Sequence, residues 1–190
     1  HPFPTRRSSD LIAYRMTSPE REARRFPPEY DGAIQEYLEV QNPITVERRV
    51  MRRSILATLL EILEYNHTFS PRLAVFEIGP VFHPVHGQQL PDEKMMLSIG
   101  LTGLREKASW KNDAPEMLDF YDLKGVVEGL LAGLHVEGIC YRAAQHPSFH
   151  PGKTAQVCID GKVVGVMGEL HPLVKANYEL GDAPVYVAEF

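Results

Sequence analysis

Short apolar runs at residues 73–82 and 95–104 read as strands, and further runs at 11–16, 37–40, 139–143 and 185–190 do the same, the second stopped by Asn42-Pro43. Residues 155–159 and 163–167 flank Asp160-Gly161, a two-residue hairpin signal. Residues 17–28 read as a charged turn or short helix, with Pro19 near the start and Pro27-Pro28 at the end. Ser54 is an N-cap type of residue and opens a helix to about His67. A second helix runs from Asp122 to Leu134 or His135, and a short one from Pro172 to about Tyr178. Residues 105–118 form an irregular loop that carries Trp110. Strands joined by hairpins, with helices interspersed rather than alternating, predict an α+β fold. Its core is a mostly antiparallel β-sheet flanked by helices.

The two long helices differ in patterning. In the first, Ile55, Leu59 and Ile62 make one apolar face and Leu56, Leu60 and Leu63 its neighbour. One sheet needs a stripe only about 100° wide. A helix apolar on two adjacent faces is either deep in its own domain or shared with another chain, and the residues alone leave both open. In the second helix Leu123, Val126, Val127, Leu130, Leu131 and Leu134 form a single stripe. Gly125, Gly129 and Gly133 line an adjacent face, where they predict close packing on a sheet.

Composition narrows the class. A chain of 190 residues with 44% hydrophobic and 24% charged content fits one soluble globular domain. A formal net charge of -5 argues against a dedicated nucleic-acid binder. No apolar run reaches membrane-spanning length, and no secretory pattern stands at the start, so the expected location is cytoplasmic. Cys140 and Cys158 sit in strand-like contexts and read as reduced structural thiols. Residues 1–10 (HPFPTRRSSD) lack periodicity and read as a foreign segment or sequencing artefact, leaving 11–190 as the domain.

Few constellations carry chemistry. His146 and His150 have metal-ligand spacing, with His171 as a third candidate. Pro147 and Pro151 follow the first two and disfavour a helix, so histidines bonding backbone in turns are the favoured reading. Arg48, Arg49, Arg52 and Arg53 cluster before the first helix. They read as a solvated or ion-paired face using Glu47 and nearby acids, with contact to nucleic-acid phosphates as the alternative. Asp119 and Asp122 suggest helix capping rather than a metal pair. Glu77 and Glu169 are acid/base candidates that nothing places together.

Several motifs stand in a fixed order. They are Asn42-Pro43-Ile44-Thr45-x-Glu47-x-x-Val50-Met51-Arg52-x-Ser54-x-Leu56, then Leu59-Leu60 and Tyr65-Asn66, then Val75 to Phe82 with Gly79. Asp119-Phe120-Tyr121-Asp122-Leu123-Lys124-Gly125, His146-Pro147-x-x-His150-Pro151-Gly152 and Gly168-Glu169-Leu170-His171-Pro172 complete the set. Together they resemble the phenylalanyl-tRNA synthetase beta subunit from about Leu11 to Phe190, and in particular its class II synthetase-like core domain. The strand at 75–82 resembles the first strand of class II motif 2. In catalytic members that strand leads into an Arg-x-Glu whose arginine grips the α-phosphate of ATP. Here His83, Pro84 and Val85 follow, and a His-Pro pair lacks the permanently charged guanidinium fork. No Gly-x-Gly-x-Gly-x-x-Arg of motif 3 occurs. Pro80 stands where family members carry Arg; having no donor, it demands an edge or a bulge.

The resemblance implies a non-catalytic domain, with no cofactor in this fragment although the full enzyme uses ATP and Mg. It implies packing against the catalytic alpha subunit, within an α2β2 assembly that aminoacylates tRNA(Phe). That assigns Ile55, Leu59, Ile62, Leu63 and Asn66 to a subunit interface, and leaves apolar surface along Ile55, Leu59 and Ile62 exposed in the isolated chain. Arg48, Arg49, Arg52 and Arg53 become candidate tRNA contacts. Gly79, Phe82, His146, His150, Gly152, Gly168 and His171 become structural motif residues. The rival readings are a catalytically competent class II-type ATP-dependent ligase and a His-based metal-dependent hydrolase.

Overall fold

The computed structural model describes residues 9–10, 13–33, 35–88, 90–107, 109–110 and 112–190. Among them, seven strands form one sheet in the order β1-β4-β5-β9-β8-β7-β6. These are β1 (Ser9–Asp10), β4 (Arg72–His83), β5 (Asp92–Gly103), β6 (Ile139–Ala143), β7 (Phe149–Ile159), β8 (Lys162–Leu170) and β9 (Val185–Glu189). Every pairing is antiparallel except that of β1 with β4. A separate ribbon pairs β2 (Met16–Thr17) with β3 (Val50–Met51). The helices are α1 (Pro19–Ala23), α2 (Leu56–Asn66), α3 (Phe120–Gly133) and α4 (Pro172–Lys175).

Period-two alternation along the strands builds two cores. Val75 and Val81 of β4 and Val185 and Val187 of β9 pack with Ile55, Leu59 and Leu63 on the α2 side. Ala74 and Phe76 of β4 and Tyr186 and Ala188 of β9 face the other way, toward Leu123, Val127 and Leu131 of α3. The sheet is therefore apolar on both faces, with helices on each. α2 lies close over β5 at Gly100, where a Cβ would sit 3.1 Å from both Leu59 Cδ2 and Leu63 Cδ1.

The α+β antiparallel architecture agrees with the sequence reading, and the differences have local causes. Leu11 and Ile12 of the first expected strand lie outside the described residues; Ala13–Arg15 are not extended into a ladder, and only Met16–Thr17 pair. Ser9 and Asp10, set aside from the fold reading, pair in parallel with Val75 and Phe76. The strand expected at 37–40 is reduced to a bridge between Glu39 and Val50. β7 starts earlier than expected because its first half is irregular, with a register shift between Phe149 and Thr154 that hides it from a periodicity search. Asp160 and Gly161 both take positive φ (49° and 80°), the geometry of the expected two-residue hairpin turn.

Two further expectations are settled by packing. Gly125, Gly129 and Gly133 have nothing within 4 Å of a built Cβ, so they face open space rather than the sheet, a correction to the close-packing reading. The sheet instead takes the Leu123, Val127 and Leu131 stripe. Pro80 sits opposite Met95 in an uninterrupted β4–β5 register; its outer side lies beyond the short β1 pairing, where no strand ladder runs among the described residues and Arg52 bonds the Pro80 carbonyl and Phe82 N–H. The edge, not a bulge, accommodates it.

Candidate interaction surface

α2 begins at a fixed anchor. Ser54 Oγ accepts from Leu56 N–H at 3.0 Å and donates to Glu189 Oε1 at 2.9 Å. The same Glu189 oxygen, from the end of β9, accepts from Ile55 N–H at 2.9 Å and Leu56 N–H at 3.3 Å. A carboxylate at a helix N-terminus satisfies orphan donors and complements the helix dipole. No local pattern announces Glu189, because it lies in the last strand of the sequence.

The four arginines before α2 are dispersed to different tasks. Arg52 is 1% exposed. Its Nη1 donates to Glu77 Oε1 at 2.6 Å and its Nε to the Pro80 carbonyl at 3.0 Å, while its own carbonyl accepts from Phe82 N–H at 2.9 Å. Gly79 makes room for the guanidinium, since a Cβ there would lie 2.3 Å from Arg52 Nη2. Arg52 is therefore enclosed and is removed from the candidate tRNA contacts: folding β4 beside β3 buries it. Arg48 lies over the Tyr14 ring at 3.3 Å, Arg49 pairs with Glu20 at 2.5 Å, and Arg53 donates to the Glu36 carbonyl at 2.5 Å. The pairing acids are Glu20 and Glu77 rather than Glu47. Glu169 pairs with Lys153 at 2.5 Å on β8, apart from Glu77, so no acid/base pair forms.

The burial of α2 decides between its two readings. Ile55, Leu56, Leu59, Leu60 and Leu63 are all fully buried. Residues of both apolar faces are enclosed in one cluster with the sheet residues and with Val174, Tyr178 and Leu180 of the same chain. The expected exposed stripe along Ile55 and Leu59 is thus corrected, and Ile55, Leu59 and Leu63 are core residues in this domain. Ile62 and Asn66 stay half-buried, and Asn66 Nδ2 donates to Ile62 O at 2.8 Å. Beside them Tyr65 and Phe69 are 71% and 73% exposed, their rings 5.5 Å apart. Ion pairs rim this face: Arg21–Glu61 at 2.5 Å and Arg24–Glu64 at 2.7 Å, with Glu179 N–H donating to Glu64 at 2.9 Å. An aromatic patch inside a charged rim is the anatomy of a protein-contact surface.

α1 holds a group that sequence reasoning missed. Glu22 is fully buried, its carboxylate 3.6 Å from Arg25 Nε, and neither oxygen has a hydrogen-bond partner. Burial pushes its pKa up to about 7, against the pull of Arg25.

The three motif histidines share one device. His146 Nδ1 accepts from Ser148 N–H (3.2 Å), His150 Nδ1 from Gly152 N–H (3.0 Å) and His171 Nδ1 from Leu173 N–H (3.1 Å). Each neutral ring then carries its proton on Nε2. Burial, then Arg25, lowers His146 to about 4. These are turn-capping histidines, as the favoured sequence reading has it. Among the described residues no group of three or more His, Cys, Asp or Glu is placed to hold a metal. Gly168 has a similar role: a Cβ there would meet Lys153 O at 2.8 Å, so it lets β8 approach β7.

The β4–β5 hairpin is the place where the motif-2 resemblance would put an arginine. Residues 83–91 contain no Arg or Lys. His83 is held below its ordinary pKa by burial and then by Arg53 and Lys94, so it stays neutral. Lys94 is engaged by Asp92 at 3.1 Å, and Arg52 by Glu77.

A family model described as the phenylalanyl tRNA synthetase beta chain CLM domain matches residues 6–190. The chain belongs to that family. The CLM-domain match takes in residues 6–10 as well as the region first outlined. Among relatives, the phenylalanine–tRNA ligase beta subunit of Symbiobacterium thermophilum is 40% identical over 182 residues, covering 95% of this chain and 20% of that protein. The beta subunit of Clostridium acetobutylicum is 36% identical over 184 residues, covering 95% and 21%. This CLM-domain chain therefore spans about a fifth of the length of the relatives it matches. The fold is similar to a solved pyrrolysyl-tRNA synthetase, PylSc of Desulfitobacterium hafniense, with a TM-score of 0.67 at 13% identity, over 95% of this chain and 59% of that one. A class II synthetase-like fold is thereby shown.

Proposed function

We propose that this chain is the non-catalytic core domain of a phenylalanine–tRNA ligase beta subunit and that it supports aminoacylation of tRNA(Phe) by packing against the catalytic alpha subunit. The observation that carries the reading is the CLM-domain match across residues 6–190, on a synthetase-like fold whose motif-2 hairpin holds no arginine. In this reading ATP and Mg are used elsewhere in the full enzyme, an α2β2 assembly in the cytoplasm. The absence of any described helix long and apolar enough to cross a membrane accords with that location. The alpha subunit docks on the outer face of α2, through Ile62, Tyr65, Asn66 and Phe69. Arg48, Arg49 and Arg53 remain half-exposed and offer tRNA a weak electrostatic edge.

Co-expression with the alpha subunit, read by size-exclusion chromatography with light scattering, tests the reading. A stable complex is the expected result, and the domain alone shows no ATP binding in calorimetry. A folded domain that ignores the alpha subunit, or one that binds ATP, overturns it.

A further inference from the structure

Cys140 on β6 and Cys158 on β7 stand directly opposite each other in the antiparallel register. Asp160 N–H donates to Gly138 O at 3.1 Å, and Ala144 N–H donates to Thr154 O at 3.1 Å. Stepping inward by two on each strand makes Cys140 and Cys158 a hydrogen-bonded pair. Such a pair holds its Cα atoms about 5.5 Å apart, inside the span of about 4.4–6.8 Å that a disulfide bridges. Both cysteines are free; Cys158 is buried and Cys140 partly exposed. Burial, and then the neighbouring Cys140, raise the Cys158 thiol above its ordinary pKa, in keeping with the two side chains lying side by side in the register. Their neighbours Ile139, Tyr141, Val157 and Ile159 point to the opposite face, into the α3 core, so a bond between the sulfurs leaves that core undisturbed. Among the described residues, β6 is the last strand of the sheet and pairs only with β7.

We propose that Cys140 and Cys158 form a reversible two-electron redox site, oxidised by hydroperoxide to a disulfide that staples edge strand β6 to β7. The Cys140 thiolate, the accessible one, attacks one peroxide oxygen; the O–O bond breaks, and the departing hydroxide takes a proton to leave as water. Cys140 is then a sulfenic acid. The Cys158 sulfur attacks the Cys140 sulfur, the S–O bond breaks, and the oxygen leaves as water with the Cys158 proton. The balance is two thiols and one hydrogen peroxide giving one disulfide and two waters. Two equivalents of a small thiol reverse it by exchange through a mixed disulfide.

The test uses the full-length protein, treated with hydrogen peroxide, blocked with N-ethylmaleimide and mapped by protease digestion and mass spectrometry. The expected product is a linked pair of peptides carrying Cys140 and Cys158, about 2 Da lighter than the sum of the two thiol peptides, which dithiothreitol abolishes. In Cys158→Ser, dimedone traps a sulfenic acid on Cys140. In Cys140→Ser, Cys158 gives at least tenfold less adduct. Wild-type protein that keeps maleimide on both cysteines, at a peroxide dose that fully oxidises free cysteine, overturns the proposal. Equal dimedone trapping on Cys158 and Cys140 in the two variants overturns it as well.

Discussion

The Arg52–Glu77 pair is the most consequential contact a single residue makes. Removing one partner strands the other charge, which typically costs about 3–5 kcal/mol, whereas replacing both with apolar residues can be neutral. Arg52→Met and Glu77→Leu should therefore each lower the urea midpoint strongly, while the double variant recovers much of the loss; additive effects would deny the coupling. Glu22 offers a pH signature. Its folded pKa is raised to about 7 from 4.5 by burial, so from pH 4.5 to 7 the unfolded chain releases a proton that the folded chain keeps, and stability falls as pH rises. His146, lowered to about 4 from 6.5, acts in the opposite sense, losing stability as pH falls through the same region. Comparison with Glu22→Gln isolates the first effect: its stability relative to wild type should grow between pH 5 and 8, by up to about 3 kcal/mol. A constant difference across that range would show that Glu22 does not titrate so. At this scale the sequence identified the turn histidines and the Asp119 cap, because each bonds within three residues of itself. Asp119 Oδ1 accepts from Asp122 N–H at 3.0 Å and Asp122 Oδ2 from Asp119 N–H at 2.8 Å. Glu22, Glu189 and the Arg52 pair were not legible, since their partners are set by tertiary packing.

Elements are legible where pattern and local chemistry agree. α3, β6 and the β7–β8 turn fall close to their expected places for that reason. β3 is too short to show a period, and the start of β7 has a broken register. The glycines of α3 show a limit of spacing arguments. Spacing four identifies a face but not what lies opposite it, and here nothing does. That reversal yields a prediction. Gly125→Ala and Gly129→Ala add a methyl to open space and relieve the helix of glycine's backbone entropy, worth about 0.5–1 kcal/mol each. Thermal melts of the domain should rise by a few degrees for the pair. A fall would mean that the face is packed after all.

For the whole molecule, the question is which part of α2 serves the fold and which part serves a partner. An apolar helix surface wider than one sheet requires is legible in sequence, but its two possible covers look alike there; only the positions of Val174, Tyr178 and Leu180 separate them. The consequence is a contrast between two neighbouring substitutions. Leu59→Asp buries an unpaired carboxylate in the core and should unfold the domain, with loss of the cooperative transition in circular dichroism. Ile62→Asp combined with Tyr65→Ser lies on the half-exposed face, so the melt should stay within about 1 kcal/mol of wild type. If that face binds the alpha subunit, the folded double variant should lose co-elution by at least tenfold in affinity, as expected when anchors of an aromatic contact are removed. Folded Ile62→Asp/Tyr65→Ser protein that still co-elutes at wild-type strength would move the interface off α2, and the exposed strip around Ile78 and Met95 on the α3 side of the sheet would be the next surface to test.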